Sequence, residues 1–546
     1  MARDKRDWVI SKVLAKQAQT IGDRPLVQWQ DGDAITYAEA HAAANRVGNS
    51  LIALSVGIGE RVGLMLPNSL EFLWSWLGIL RVGGVAVTIN TAYRGVFLEQ
   101  VLSNSGAERL IIHPDYLEWL AEIEDQVPRV TTAIVPGWRG RGPSFQRINV
   151  IPFEPLMDGP DRDINIDVTY RDIGTIMYTS GTTGPSKGVL MSHGHMYLLG
   201  LSGKTHLRVT EQDVCYQCMQ LFHAMGMFLQ LVNTMMAGAR AVMVPSFSAT
   251  NWIDDIRKYR ITFTSTLGVM SEFIMRQPRQ ANEGDNDLRV VLAIPLTDDI
   301  VDQYRERFGV TKVIEGFGMT ECGMPLWFPY DEPLRVGSCG LAWHDYYDVR
   351  IVDPETDEEV PKGEIGEIVV RPREAYCLMQ GYNNAHEKTV ETWRNFWFHS
   401  GDAGRQDEDG YFWYVDRIKD AIRRRGENIS SYEVEYVLTE HPAIEEAAAV
   451  AVPSDIPGGE DEVLACLVLA VDCEPPSPEA LLEFCIARMP YFAVPRFIEF
   501  VDVLPKTPSQ KVQKAKLRDL NRDHAIWDRE SVGLAVTRRG LVRTSS

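Results

Sequence analysis

A chain of 546 residues is too long for one hydrophobic core, so two or more domains are expected. Its 75 acidic against 55 basic residues give a formal net charge of -20, a surface that excludes nucleic acid and anionic lipid as partners unless a local basic patch intervenes. No uncharged stretch is long enough to span a bilayer, and the charged start Met1–Asp7 has no apolar segment behind it like a secretory signal. The 8 cysteines have no framework spacing; Cys215 and Cys218 form a pair without a second, reading as buried core thiols in a protein of the reducing cytoplasm.

The first elements alternate. Trp8 to Gln19 has helical periodicity, Pro25–Trp29 and Ala34–Tyr37 read as paired strands, and Ala38–Leu54 as an alanine-rich helix. Strand Arg61–Leu66, helix Leu70–Arg81, strand Val85–Ile89, a helix around Phe97–Asn104 and strand Leu110–Ile112 follow. This order predicts a parallel, doubly wound sheet.

A mostly apolar run, Ile173–Met177, then leads into Tyr178-Thr179-Ser180-Gly181-Thr182-Thr183-Gly184-Pro185-Ser186-Lys187-Gly188. Glycines keep such a turn open, and its backbone N–H groups, hydroxyls and lysine suit a polyphosphate. It is not the common phosphate loop, because Lys187 follows Ser186 and precedes Gly188 instead of standing in Gly-Lys-Ser/Thr. After it, strands at Ala241–Val244, Phe263–Ser265, Arg289–Ala293 and Thr311–Ile314 alternate with helices such as Trp252–Tyr259 and Asp298–Arg307.

Gly316-Phe317-Gly318-Met319-Thr320-Glu321 reads as a turn. Its glycines allow a flat ligand to approach, Phe317 can stack on a purine, and Glu321 is a hard oxygen ligand suited to Mg²⁺ on phosphates. Beyond Gly337, short strands such as Asp348–Val352 and Ile365–Val370 suggest a small β-barrel-like subdomain. His399-Ser400-Gly401-Asp402 reads as a loop, followed by Tyr414-Val415-Asp416-Arg417. Near Lys419 the texture changes to a compact α+β unit. It comprises helix Tyr432–His441, strands Ala447–Val452 and Val463–Val471, helix Glu479–Arg488 and strand Phe497–Val501. Lys506, Lys514 and Lys516 around Pro505-Lys506-Thr507-Pro508-Ser509-Gln510-Lys511 read as solvated, and the stretch from about Trp527 has little to pack.

These motifs, in this order from about Trp8 to Leu520, resemble the adenylate-forming superfamily of acyl-CoA synthetases, luciferases and peptide-synthetase adenylation domains. Pro490-Tyr491-Phe492-Ala493-Val494-Pro495-Arg496 is similar in texture to the bacterial crotonobetaine/carnitine–CoA ligases. The resemblance implies an α/β large N-terminal domain, doubly wound sheets plus the barrel-like part, over residues 1–418. A small mobile α+β C-terminal domain would occupy 419–525 with its hinge at Lys419, and residues 526–546 would form a tail. It implies ATP, Mg²⁺ and coenzyme A as cofactor and co-substrates, a small to fatty or carnitine-like carboxylic acid as substrate, and homodimers as common among relatives.

Residue by residue, the resemblance assigns the nucleotide to Thr179, Ser180, Gly181, Thr182, Thr183, Gly184, Lys187 and Gly316–Met319 (Gly316, Phe317, Gly318 and Met319). Thr320 would meet the α-phosphate, Glu321 with Thr179 the metal, and Asp402 with Arg417 the ribose. Lys511 would bridge carboxylate and α-phosphate during adenylation, with Gln510 standing where most relatives have glycine. Gly426 would let a pantetheine arm pass, and Arg423–Arg425 could meet the phosphates of CoA; a solvated basic turn is the other reading. His223 in Leu221–Gly226 falls at the acyl pocket, and Ile294 before Pro295 places a branched side chain where relatives have a small one. Two other readings stay open: an adenylating enzyme that loads a carrier-protein thiol, and a nucleotide-binding regulatory protein without catalysis.

Overall fold

The computed structural model describes residues 4–179, 186–417, 422–424, 427–429, 431–455, 460–471, 473–505, 512, 514–518 and 526–543. Three seven-stranded sheets and a smaller four-stranded one carry the described chain. The first sheet runs in the order Lys312–Ile314, Val290–Ile294, Phe263–Leu267, Val214–Gln217, Arg240–Met243, Pro25–Trp29 and Ala34–Thr36. The second runs Asn149–Pro152, Thr132–Val135, Arg109–Ile112, Arg61–Met65, Val85–Thr88, Ile173–Thr179 and Lys187–Ser192. Each is parallel except at one end, where an antiparallel strand closes it. Parallel strands buried on both faces need continuous apolar runs, and burial is complete along Val85–Thr88 and nearly so along Arg61–Met65.

Helices between the strands start where hydroxyls cap them. Thr36 accepts from Glu39 N while the Glu39 carboxylate accepts from Thr36 N, a reciprocal cap that opens Tyr37–Ala53. Ser69, Ser192 and Ser477 cap Leu70–Arg81, His193–His206 and Pro478–Ile486 in the simpler way. Cys215 and Cys218 are buried, and burial pushes both thiols up, as core thiols require.

The part expected to be barrel-like is a seven-stranded antiparallel sheet from Gly316–Met319 to Tyr347–Val352. Two expectations change here. The Gly316–Met319 stretch is a strand against Gly323–Trp327, and Cβ atoms at Gly316 and Gly318 would lie 2.7 Å from Leu326 O and 2.4 Å from Gly323 O. These glycines are required by the ladder itself. His399–Asp402 is likewise no loop: it lies within strand Phe398–Gln406, where Asp402 pairs with Arg417 across the ladder.

The small C-terminal unit pairs Ile444–Val452, Glu462–Leu469, Phe497–Phe500 and Trp527–Asp528. Its buried residues, among them Val434, Leu467 and Met489, continue the apolar core under the second sheet. The expected boundary at Lys419 lies outside the described residues. The expected tail is corrected: Trp527–Asp528 joins the sheet, and Leu534–Thr537 with Gly540–Arg543 forms a hairpin whose Val536 is buried. Alternating apolar residues at Leu534 and Val536 supply the face that packs.

Candidate active site

Thr320 and Glu321 sit in the tight turn joining strands Gly316–Met319 and Gly323–Trp327. The Thr179 hydroxyl at the end of Ile173–Thr179 donates to Glu321 Oε1 at 3.2 Å, and the Tyr382 hydroxyl donates to the same oxygen at 3.0 Å. Tyr382 arrives because the segment 380–383 pairs with the outer edge of Lys187–Ser192, through Gln380 N to Leu190 O at 2.8 Å and Asn383 N to Gly188 O at 2.7 Å. Burial first, then the Glu321 charge, pushes the Tyr382 phenol up, so it stays a donor. The Lys187 ammonium lies 5.6 Å from the centre of the Tyr382 ring. The turn thus gathers a carboxylate, two hydroxyls and a lysine from separate segments.

One carboxylate and a hydroxyl are a sparse donor set, and among the described residues no group of three or more His, Cys, Asp or Glu could hold a metal ion. That set suits a cation held mainly by phosphate oxygens and water, the habit of Mg²⁺.

Asp402 is buried at 3% exposure, and the strand before it is anchored by Glu367. That carboxylate accepts from Gly401 N at 2.9 Å, His399 Nδ1 at 2.9 Å and Arg394 at 3.0 Å. Burial raises its pKa, but His399, Gly401 and Arg394 outweigh it and hold the group below the ordinary carboxylate range. Phe317 is buried and stacks on Tyr414 with ring centres 6.5 Å apart.

The C-terminal unit reaches this region at two points. His223 Nε2 lies 3.2 Å from Glu427 Oε1, and the other Glu427 oxygen accepts from Asn90 at 3.1 Å. Burial raises the Glu427 pKa, but His223 and Asn90 overcome it and the net direction is down. Glu433 accepts from Ser186 N at 2.8 Å and Ser186 Oγ at 2.9 Å, gripping the end of the phosphate-loop segment. Burial pushes Glu433 up to about 7 against the pull of Ser186 and Lys187.

The structure therefore brings together Thr179, Lys187, Thr320 and Glu321, and separately His223 with Glu427 of the short hairpin that pairs Ile422–Arg424 with Glu427–Ile429. Ser180, Gly181, Thr182, Thr183, Gly184, Lys419, Arg425, Gly426, Gln510 and Lys511 lie outside the described residues, as does the side chain of Arg417. Two basic expectations are corrected. Arg424 is 2% exposed, ion-paired to Glu462 and donating to Phe492 O at 2.8 Å, and Arg423 pairs with Glu460 at 3.0 Å. Arg424 is consumed inside the C-terminal unit, because buried Glu462 opens the neighbouring strand and demands a partner, while the half-exposed Arg423 holds Glu460 just before that strand. Lys514, expected to be solvated, holds Ser431 Oγ and Glu435 at 2.6 Å each.

Sequence reasoning missed Tyr382, Asn90, Glu427 and Glu433. Glu427 directly follows Arg423–Arg425 and Gly426 and could have been flagged as an acid next to basic residues; the other three lie in stretches without a local signal.

The family model described as AMP-binding enzyme matches residues 14–383, and the one described as AMP-binding enzyme C-terminal domain matches 433–511. The crotonobetaine/carnitine–CoA ligase of Proteus mirabilis is 30% identical over 502 residues, 88% of this chain and 93% of its own. The anthranilate CoA ligase AuaEII, solved with anthranoyl-AMP, superposes with a TM-score of 0.69 at 27% identity, covering 93% of this chain and 96% of its own. A double mutant of o-succinylbenzoate CoA synthetase from Bacillus subtilis, bound with a product analogue, superposes with a TM-score of 0.77 at 26% identity, covering 93% and 98%. Among the described residues no helix is long and apolar enough to cross a membrane. On these matches the chain belongs to the AMP-binding enzyme family.

Proposed function

We propose that this enzyme is an ATP-dependent carboxylate–CoA ligase of the acid–thiol ligase class, working in two half-reactions. In the first, a substrate carboxylate oxygen attacks the α-phosphorus of ATP, and the bond to pyrophosphate breaks, leaving an acyl-adenylate. In the second, the CoA thiol attacks the acyl carbonyl, loses its proton, and AMP departs with the bonding pair. The observation that carries this reading is the meeting of Thr179, Lys187 and Glu321 beside a C-terminal unit that touches the same region through Glu427 and Glu433.

Within this reading Lys187 and the hydroxyls of Thr179–Gly184 take the phosphates, and Thr320 the α-phosphate. Glu321 with Thr179 would hold Mg²⁺, which neutralises phosphate charge when bound. Asp402 and Arg417 take the ribose, and Phe317, behind Gly316 and Gly318, flanks the adenine. Lys511 brings the cation that lets two anions meet. The small domain, from Lys419 onward, then turns, withdraws Lys511 and presents the Glu427 hairpin with Gly426 to the thiol.

The acids named for the relatives, crotonobetaine or carnitine, anthranilate and o-succinylbenzoate, differ in size and charge. For this chain we propose a small to fatty acid, with Ile294 and His223 shaping its pocket. The test is a panel of acids, quaternary-ammonium acids included, incubated with ATP, Mg²⁺ and CoA. AMP and a CoA thioester formed in equal amounts with at least one acid is the expected result. ADP formation, or no nucleotide turnover with any acid, would refute it. AMP released only with a phosphopantetheinyl carrier protein would favour the carrier-loading alternative.

A further inference from the structure

The chain continues past residue 511, where the second family match ends, and its continuation is built into the C-terminal unit. Arg496 grips Asp528 through two bonds of 3.0 Å, and the buried Arg529 donates to Pro495 O at 3.2 Å. These pins set the direction of the hairpin Leu534–Thr537 and Gly540–Arg543, whose Thr537↔Gly540 pairing leaves Arg538 and Arg539 alone in the turn. Both arginines are exposed.

Arg538 stands over the Tyr491 ring at 5.6 Å and has no ion-pair partner among the described residues. Its guanidinium is close enough to Glu427 and to Tyr116 to act on both electrostatically. Tyr116 stacks on Trp119 with centres 5.1 Å apart, and Arg94 lies 5.6 Å from the Trp119 ring. Arg94 also donates to Met489 O at 3.2 Å, tying the large domain to the chain two residues before Tyr491. Aromatic faces and arginines from four segments therefore line one seam, next to the hairpin of Glu427. Arg423 and Arg424, the cations expected to meet phosphates, are engaged elsewhere.

We propose that Arg538, with Arg94 and the ring faces of Tyr116, Trp119 and Tyr491, binds the phosphorylated nucleotide end of the acceptor thiol. A guanidinium matches a phosphate bidentately, and a flat ring takes an adenine face. The inference rests on the CoA reading above and deepens it: the hairpin beyond the family match selects for the nucleotide handle.

The test uses the full chain as wild type, R538A and R538E, with melting temperatures as the check on folding. The readout is the ratio of kcat/KM for CoA to that for pantetheine, which has the thiol arm and no nucleotide. The ratio is expected to fall about threefold in R538A and about tenfold in R538E, chiefly through KM for CoA. The wild-type preference for CoA should also weaken with added salt, and less so in R538E. A ratio unchanged within about twofold in both variants would overturn the assignment, as would equal losses with CoA and pantetheine. Wild type that makes no CoA thioester sinks the acceptor reading and this inference together; wild type that does, with an unchanged ratio in the variants, sinks this inference alone.

Discussion

Arg424 shows how a motif can mislead at the scale of one side chain. In sequence it stands among arginines before a glycine and looks like an anion binder; in the fold it is buried against Glu462 and two backbone carbonyls. Removing one partner of such a pair leaves the other charge buried alone, which costs about 3–5 kcal/mol. Arg424→Met should therefore lower the unfolding free energy by about that amount in denaturant titration. If instead stability holds and only KM for CoA rises, the pair is not structural. The buried pair Arg307–Glu283, with a 2.7 Å contact and both side chains nearly inaccessible, should respond alike to Glu283→Gln. What the sequence revealed at this scale were residues inside contiguous motifs, such as Thr179, Glu321 and Asp402. Tyr382 and Glu433 were hidden because their partners lie 61 and 247 positions away, and no local periodicity encodes such a meeting.

At the scale of elements, strands and helices were largely legible because their periods of 2 and 3.6 residues are written in the apolar pattern. Leu70–Arg81 was read with its observed ends, its Ser69 cap and the glycines after it being unambiguous. The terminal hairpin was missed since Leu534, Val536 and Leu541 form too short an alternation to stand out from a polar stretch. His399–Asp402 was misread because Ser-Gly-Asp is turn chemistry, whereas Glu367 binds it into a ladder. Helices Tyr37–Ala53 and Leu70–Arg81 pack closely because Gly78 has no side chain: a Cβ there would stand 2.7 Å from Val47 Cγ1 and 3.0 Å from Gly48 N. Gly78→Ala should push these helices apart and cost about 1–3 kcal/mol, seen as a lower melting temperature. An unchanged melting temperature would mean the contact is loose enough to absorb a methyl group.

For the whole molecule, the question is how firmly the C-terminal unit sits where it is described. Glu433 is a buried carboxyl raised to about 7, facing Ser186, the Lys187 ammonium and the Tyr93 phenol of the large domain. A carboxyl whose pKa is higher docked than free favours docking fully below its free value, near 4.5, and that contribution is lost as pH rises through about 7. Fluorescence energy transfer between the domains should therefore report weaker docking across that window. In Glu433→Gln the slope should vanish; a slope that persists would assign it to another group.

The account as a whole depends on one ammonium serving the first half-reaction and leaving for the second. The most direct measurement takes Lys511→Ala through both halves separately: pyrophosphate exchange with ATP and acid, and thioester formation from supplied acyl-adenylate and CoA. The prediction is a loss of roughly 100-fold or more in exchange, with thioester formation largely spared. Equal losses in the two halves would contradict a division of labour between two poses of the same small domain.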